Sequence, residues 1–201
     1  MRLAEDELAR IYDVSRTVVR SALQALIHEQ LVTHIPNKGV TISKPSRFEA
    51  REVFEARALL EPYLASLAAR RATADDVAVL RAHIRDEHAA IERDQDTEAI
   101  ALSALFHRKI AKIAGQSILE GYMDELVARS SLIVALYWKR HDSTCEKHAH
   151  SALVNAIEAG DAKDASELMK SHLVDVLSGL DLSRVDSSSG RSLAEILVRI
   201  D

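Results

Sequence analysis

Cysteine occurs once in this chain, at Cys145, so no disulfide framework can staple the fold. A single cysteine at the start of a helix, with no partner group assigned to it, reads as a small packing or surface residue rather than a redox sensor. Proline is nearly as scarce. Only Pro45 and Pro62 lie beyond residue 36, and no strand-like alternation of any length follows Lys44, so the body is expected to be helical. Aromatics make up 4% of residues, which suits a helix-rich bundle. Long apolar runs are missing too. The most apolar stretch, SSLIVALYW at residues 130–138, is far too short to span a bilayer and ends against Lys139 and Arg140. Nothing resembles a signal peptide, so a cytoplasmic protein without a membrane partner is expected. The net charge of −5 argues against a general nucleic-acid coat. That charge is uneven. Residues 1–44 carry six Lys and Arg against five Asp and Glu, and the remainder carries 20 against 26. A near-neutral head on an acidic body favours sequence-directed DNA contact over bulk phosphate attraction.

What is present is concentrated near the start. DELARIYDV, residues 6–14, reads as a short amphipathic helix with Leu8, Ala9 and Ile11 apolar. A tight turn at Tyr12-Asp13-Val14 follows. Ser15 is placed to cap a second helix, whose first turns carry Arg16, Thr17 and Arg20 on the solvent side and whose Val18, Ala22, Leu23 and Leu26 are expected to face inward. Two β-prone runs then flank Pro36-Asn37-Lys38-Gly39, a hairpin signature. Helix-turn-helix followed by hairpin is a winged helix, with a recognition helix suited to the major groove.

The run from Asp6 to Val32 with Pro36 to Val40 resembles the DNA-binding domain of the GntR family of bacterial transcriptional regulators. Ser15, Arg16, Thr17 and Arg20 match its recognition-helix signature, and Asn37-Lys38-Gly39 matches its wing tip. The resemblance implies that Ser15, Arg16, Thr17, Arg20, Lys38 and Gly39 form the DNA-contacting set. The family usually has Pro where Val18 stands. Its domain also begins with another helix, and this chain starts after it, which is expected to leave the apolar faces of the other two helices partly uncovered.

Lys44-Pro45-Ser46 breaks the wing strand. Helices are then expected near 47–71, 74–94, 97–114, 117–140, 144–159 and 161–178, with break-and-cap signals at Thr73-Ala74-Asp75-Asp76 and at Gly160-Asp161. Residues 181–192 read as a loose loop before a last short helix, Leu193 to Ile200. The predicted architecture is mostly α. An N-terminal winged helix-turn-helix with a small hairpin wing spans residues 1–45, an all-helical bundle spans 46–180, and a C-terminal loop and helix span 181–201.

Nine histidines occur, and three sit on apolar helical stripes. His107 shares its face with Ser103, Phe106, Ile110 and Ala114. His150 lies with Leu153, Val154 and Ile157, and His172 with Ala165, Leu168, Met169 and Val176. One inward histidine is usually a hydrogen-bonded core residue. Three on three stripes suggest a ligand set for a divalent transition metal, Zn or Ni above all. His148 falls about 200° from His150 and belongs on the surface. His83 and His88 sit in a charged helix, His141 in a charged loop, and His28 and His34 lie beside the wing.

Phe106-His107 with Ala114-Gly115, HSALVNAIEAGD from His150 to Asp161, Met169 with His172-Leu173, and the opening from Arg57 to Thr73 together resemble the ligand-binding domain of the FadR subfamily, called FCD. The resemblance implies an all-helical bundle that holds a metal through one aspartate and three histidines, and binds a small organic acid against it. It also implies a homodimer, usually a repressor, reading two operator half-sites. Carried onto this chain, the metal ligands are His107, His150 and His172. The aspartate position is Ser103, whose neutral hydroxyl is a poor ligand.

Arg57 lies on the stripe Val53, Phe54, Arg57, Leu60, Leu64, so its guanidinium is expected to point inward, toward either an effector carboxylate or Glu61 one turn on. The FCD resemblance implies effector contact there. Arg129 is a second effector candidate. The function expected is a DNA-binding regulator controlled by a small carboxylate held in a metal-containing helical domain. A metal-free regulator sensing an acyl ligand is the runner-up, kept alive by Ser103. A three-histidine metalloenzyme is disfavoured, because no general base or nucleophile accompanies the histidines.

Overall fold

A computed structural model describes residues 1–138 and 143–182, with the side chains of 143–147 left undescribed. Most of the predicted loop at 181–192, the closing helix and the Cys145 side chain lie outside the described residues. The chain divides into two compact units at Pro45 and Ser46.

In the first unit, β1 (Arg2–Leu3) precedes α1 (Glu5–Ile11) and α2 (Arg16–His28), and β2 (Val32–Ile35) and β3 (Gly39–Ile42) complete it. The sheet is antiparallel in the order β1-β3-β2, with Arg2 opposite Thr41 and Val32 opposite Ile42. Two residues do not predict a strand by pattern, so β1 was not legible in the sequence; it exists because β3 offers it an open edge. The wing turn is closed by Lys38 N–H donating to the Ile35 carbonyl, and Asn37 and Gly39 take the positive φ values, 63° and 82°, that such a turn requires. Leu8, Val19 and Leu23 form the small core, with Leu3, Ala9, Leu26 and Val40 around it.

Here the helix phase corrects an expectation. Val19, not Val18, packs inward with Leu23, while Val18 is 54% exposed and Ala22 is also exposed. Positions 19, 23 and 26 fall within about 60° on a helix, and position 18 lies about 100° away from 19.

The second unit is all helix: α3 (Arg47–Arg71), α4 (Ala74–Glu92), α5 (Asp96–Ala114), α6 (Ser117–Tyr137), α7 (Ser143–Glu158) and α8 (Ala162–Ser178). Caps set most boundaries. Ser46 accepts from the Glu49 N–H, Thr73 and Asp76 form a reciprocal capping box, and the Asp161 side chain accepts from two N–H groups of α8. Helix α5 ends at Gly115, whose φ of 63° suits glycine and whose missing side chain leaves room for Arg71, a donor to the Ala114 carbonyl. The long α3 is the hub, packing against α5, α6, α7 and α8. Its buried face contributes Val53, Phe54, Ala65 and Ala68 to the main core, which also holds Phe106, Ile110, Leu153, Ile157 and Met169.

Candidate functional site

At the start of α2, Ser15 is spent as the cap, accepting from the Val18 N–H at 3.3 Å. Arg16 is exposed and paired with Asp6 of α1. Arg20 makes two bonds to Glu5, 3.3 Å from Nε and 2.8 Å from Nη2, and that hydrogen bonding holds the Glu5 carboxyl below its ordinary value. Thr17 and Lys38 are exposed, and Gly39 is half-buried at the base of the wing turn. The two arginines thus stand pre-aligned by acids of the preceding helix.

Three helices of the second unit carry the histidines inward: α5 brings His107, α7 His150 and α8 His172, all at most 4% exposed. Their Nε2 atoms converge. His150 and His172 approach to 3.1 Å and His172 and His107 to 3.3 Å, while the ligand-capable atoms of all three lie within 4.8 Å of one another. Phe106 floors the group, its ring centroid 4.2 Å from that of His150.

Carboxylates fix the outer nitrogens. His107 Nδ1 is 2.5 Å from Glu61 Oε2, and His150 Nδ1 is 2.9 Å from Glu87 Oε2. A carboxylate only accepts, so both Nδ1 atoms carry a proton, and in its neutral form each of these rings presents the Nε2 lone pair to the centre. At most His172 brings a proton to the shared space. Burial pushes His172 well below the ordinary histidine value, with His150, His107 and Arg57 acting in the same direction. Burial also lowers His107, against the pull of Glu61. Converging neutral imidazoles, two of them oriented by a carboxylate behind the ring, are what a divalent transition metal requires. Separations of 3.1 and 3.3 Å also suit nitrogens bound about 2.1 Å from one ion. Ser103 lies one turn before His107 and is half-buried.

Arg57 is 5% exposed. Its Nε donates to Glu61 Oε1 and its Nη1 to Ser130 Oγ at 2.8 Å, so the ion pair left open as an alternative is formed. Its Nη2 is buried and has no hydrogen-bond partner among the described residues. Burial alone would raise Glu61, but Arg57 and His107 together hold its carboxyl at about 2. Glu61 therefore joins the guanidinium to the histidine cluster. Arg129 is instead bound to Glu49 at 2.8 Å.

The bond of Glu61 to His107, and the roles of Glu87 and Ser130, were missed by sequence reasoning. For Glu87 a signal existed, since it stands in the row Val77, Leu80, Ile84, Glu87, all buried. His83, placed by the sequence only in a charged helix, has a defined setting. It is buried, donates from Nε2 to the Leu102 carbonyl at 2.7 Å and stacks beside Phe106, because the apolar side of α4 is wider than its charged composition suggests. A cleft of about 230 Å³ between α4 and α7 is lined by Arg81, Ile84, Arg85, His88 and Ser151, and none of the three converging histidines opens onto it.

Residues 52–175 match the FCD domain family, and residues 1–42 match the family described as bacterial regulatory proteins, gntR family. The chain is 30% identical to the HTH-type transcriptional repressor GlaR of Escherichia coli (strain K12), over 78% of this chain and 75% of that protein. It is 29% identical to the HTH-type transcriptional regulator LutR of Bacillus subtilis (strain 168), over 86% and 89%. The solved structure of E. coli McbR/YncC shares the fold with a TM-score of 0.75 at 21% identity, over 89% of this chain and 87% of that one. No helix among the described residues is long and apolar enough to cross a membrane. These relatives are transcriptional regulators and not enzymes, and the chain belongs to the GntR family of bacterial transcriptional regulators, with an FCD domain as its helical unit.

Proposed function

We propose that this regulator is a cytoplasmic, homodimeric repressor whose operator binding is controlled by a small carboxylate, bound beside a divalent metal in the helical unit. Residues 1–45 are its reading head and residues 46–180 its sensor. The observation that carries this is the convergence of the Nε2 atoms of His107, His150 and His172, two of them with Nδ1 bound to a carboxylate. Zn²⁺ or Ni²⁺ held there would supply a localised positive charge and open coordination positions. The residues around it do the rest. Glu61 and Glu87 hold two imidazoles in the ligating tautomer. Arg57 offers its unpartnered Nη2 to an anion, and Ser130 keeps the guanidinium in place. A dicarboxylate or hydroxy acid fits this polar centre better than a long acyl chain. Because the bundle is tightly packed around the cluster, effector binding shifts the population of bundle arrangements and, through them, the DNA competence of the dimer. Arg16 and Arg20 read base edges, and Lys38 of the wing contacts phosphate.

Metal analysis of tag-free protein purified without chelator, with His150→Ala alongside, tests the sensor. About one Zn or Ni per chain in the wild type and none in the variant is expected. Metal-free protein whose melting temperature ignores both ions would leave the acyl-ligand alternative, which neutral Ser103 favours.

A further inference from the structure

Among the described residues, the buried side chains of the second unit with a fixed charge are few: Arg57, Glu61 and Glu87, with the histidines beside them. The histidines ligate as neutral imidazoles. Arg57 and Glu61 cancel, so Glu87 leaves the centre with one uncompensated negative charge. A divalent ion on the three Nε2 atoms reverses this to one uncompensated positive charge. The group one turn before His107 on α5 is Ser103, which supplies none. An unbalanced charge in a sealed, low-dielectric interior is costly in either direction.

We propose that this site binds its metal and one carboxylate group of its acid as a pair, each weakly without the other, so that the regulator responds to their coincidence. The inference rests on the histidine-metal reading above. With the ion present, one carboxylate brings the centre to neutrality. Without the ion, the same carboxylate joins Glu87 and doubles the negative charge, so the acid does not bind metal-free protein. The unpartnered Nη2 of Arg57 supplies a directed hydrogen bond for the carboxylate. Glu61 conveys the coupling, because one carboxylate grips Arg57 through Oε1 and His107 through Oε2. A shift of the guanidinium toward an incoming anion is thereby felt at a metal ligand. By linkage, the factor by which the acid tightens the metal equals the factor by which the metal tightens the acid.

The test measures Zn²⁺ affinity of the full chain by competition with a colorimetric chelator, in excess sodium acetate and in sodium chloride at equal ionic strength. Acetate is the probe because it carries one carboxylate and has little affinity for Zn²⁺ in water. Acetate is expected to tighten Zn²⁺ roughly tenfold or more in the wild type, within the usual range of coupling between sites. It is also expected to leave the melting temperature of chelator-treated protein unchanged. In Ser103→Asp the missing charge is built in, so Zn²⁺ binds tightly in chloride and the acetate gain disappears. Zn²⁺ binding that is indifferent to acetate in the wild type overturns the proposal, as does equal stabilisation of metal-free protein by acetate. Absence of Zn²⁺ binding, or undiminished binding in His150→Ala/His172→Ala, overturns the histidine-metal reading itself and this proposal with it. If Ser103→Asp does not fold, the wild-type comparison alone decides.

Discussion

Replacing Glu61 by Gln keeps the side chain's size and removes one charge from a fully enclosed position. Arg57 then becomes a buried cation with no anion in contact with it among the described residues, keeping the neutral Ser130 hydroxyl, and His107 loses the carboxylate on Nδ1. Two magnitudes agree on the cost. The folded carboxyl is held at about 2 against an ordinary 4.5, which corresponds to roughly 3 kcal/mol of preferential stabilisation of the charged form. Breaking one side of a buried ion pair independently costs about 3–5 kcal/mol. For a unit of this size that is a drop of about 10 °C in melting temperature. Trp138, the chain's one tryptophan, packs against the main core of the helical unit, so its fluorescence follows unfolding of that unit by itself. The comparison is made at neutral pH in chelator, to keep metal linkage out. The double substitution Arg57→Leu/Glu61→Leu should lose less than the two single changes summed, since neither charge is then left alone. A Glu61→Gln melting temperature within about a degree of wild type would refute the reasoning, since an uncompensated buried charge cannot be that cheap.

In operator footprinting, Arg16→Ala or Arg20→Ala should each cost about 1–3 kcal/mol and relax base preference, whereas Lys38→Ala weakens all sequences alike; unchanged protection with Arg16→Ala would remove it from the reading set. Acid should destabilise the chelator-treated helical unit. His107 and His172 are held below the ordinary 6.5 and Glu61 below 4.5, so all three contribute fully above those values and lose that contribution as pH falls. Trp138-detected melting temperature should therefore fall between pH 7 and pH 5 and again below 4.5, and a rise over the first interval would contradict the burial of neutral histidines. Thr73→Ala removes the capping box of α4 and should cost about 1 kcal/mol in urea denaturation, whereas Thr73→Ser, which keeps the capping hydroxyl, should retain most of the wild-type stability.

Much of the sensor's frame was legible because helices announce themselves locally. Caps at Ser46, Thr73 and Asp161 and a 3.6-residue apolar period place the helix ends within a few residues. The same periodicity places His107, His150 and His172 inward on three separate helices. On α2 it was misread, since the 3.6-residue spacing back from Leu23 and Leu26 selects Val19 and not Val18 for the contact with Leu8. It failed on α4, where His83 and Glu87 look like members of a charged face until α5 and α7 close over them.

By itself, then, the sequence determined the winged head, the helical body and the residue types available for chemistry, because caps, turns and periodicity act over three or four neighbours. Tertiary structure alone decided which groups meet. Glu61 reaching across 46 positions to His107, Glu87 across 63 to His150, and Arg57 across 73 to Ser130 are pairings between helices. No local rule encodes them. They follow from the crossing of α3, α4, α5, α6 and α7 around one core, where a buried ionisable group must find its partner wherever packing leaves one.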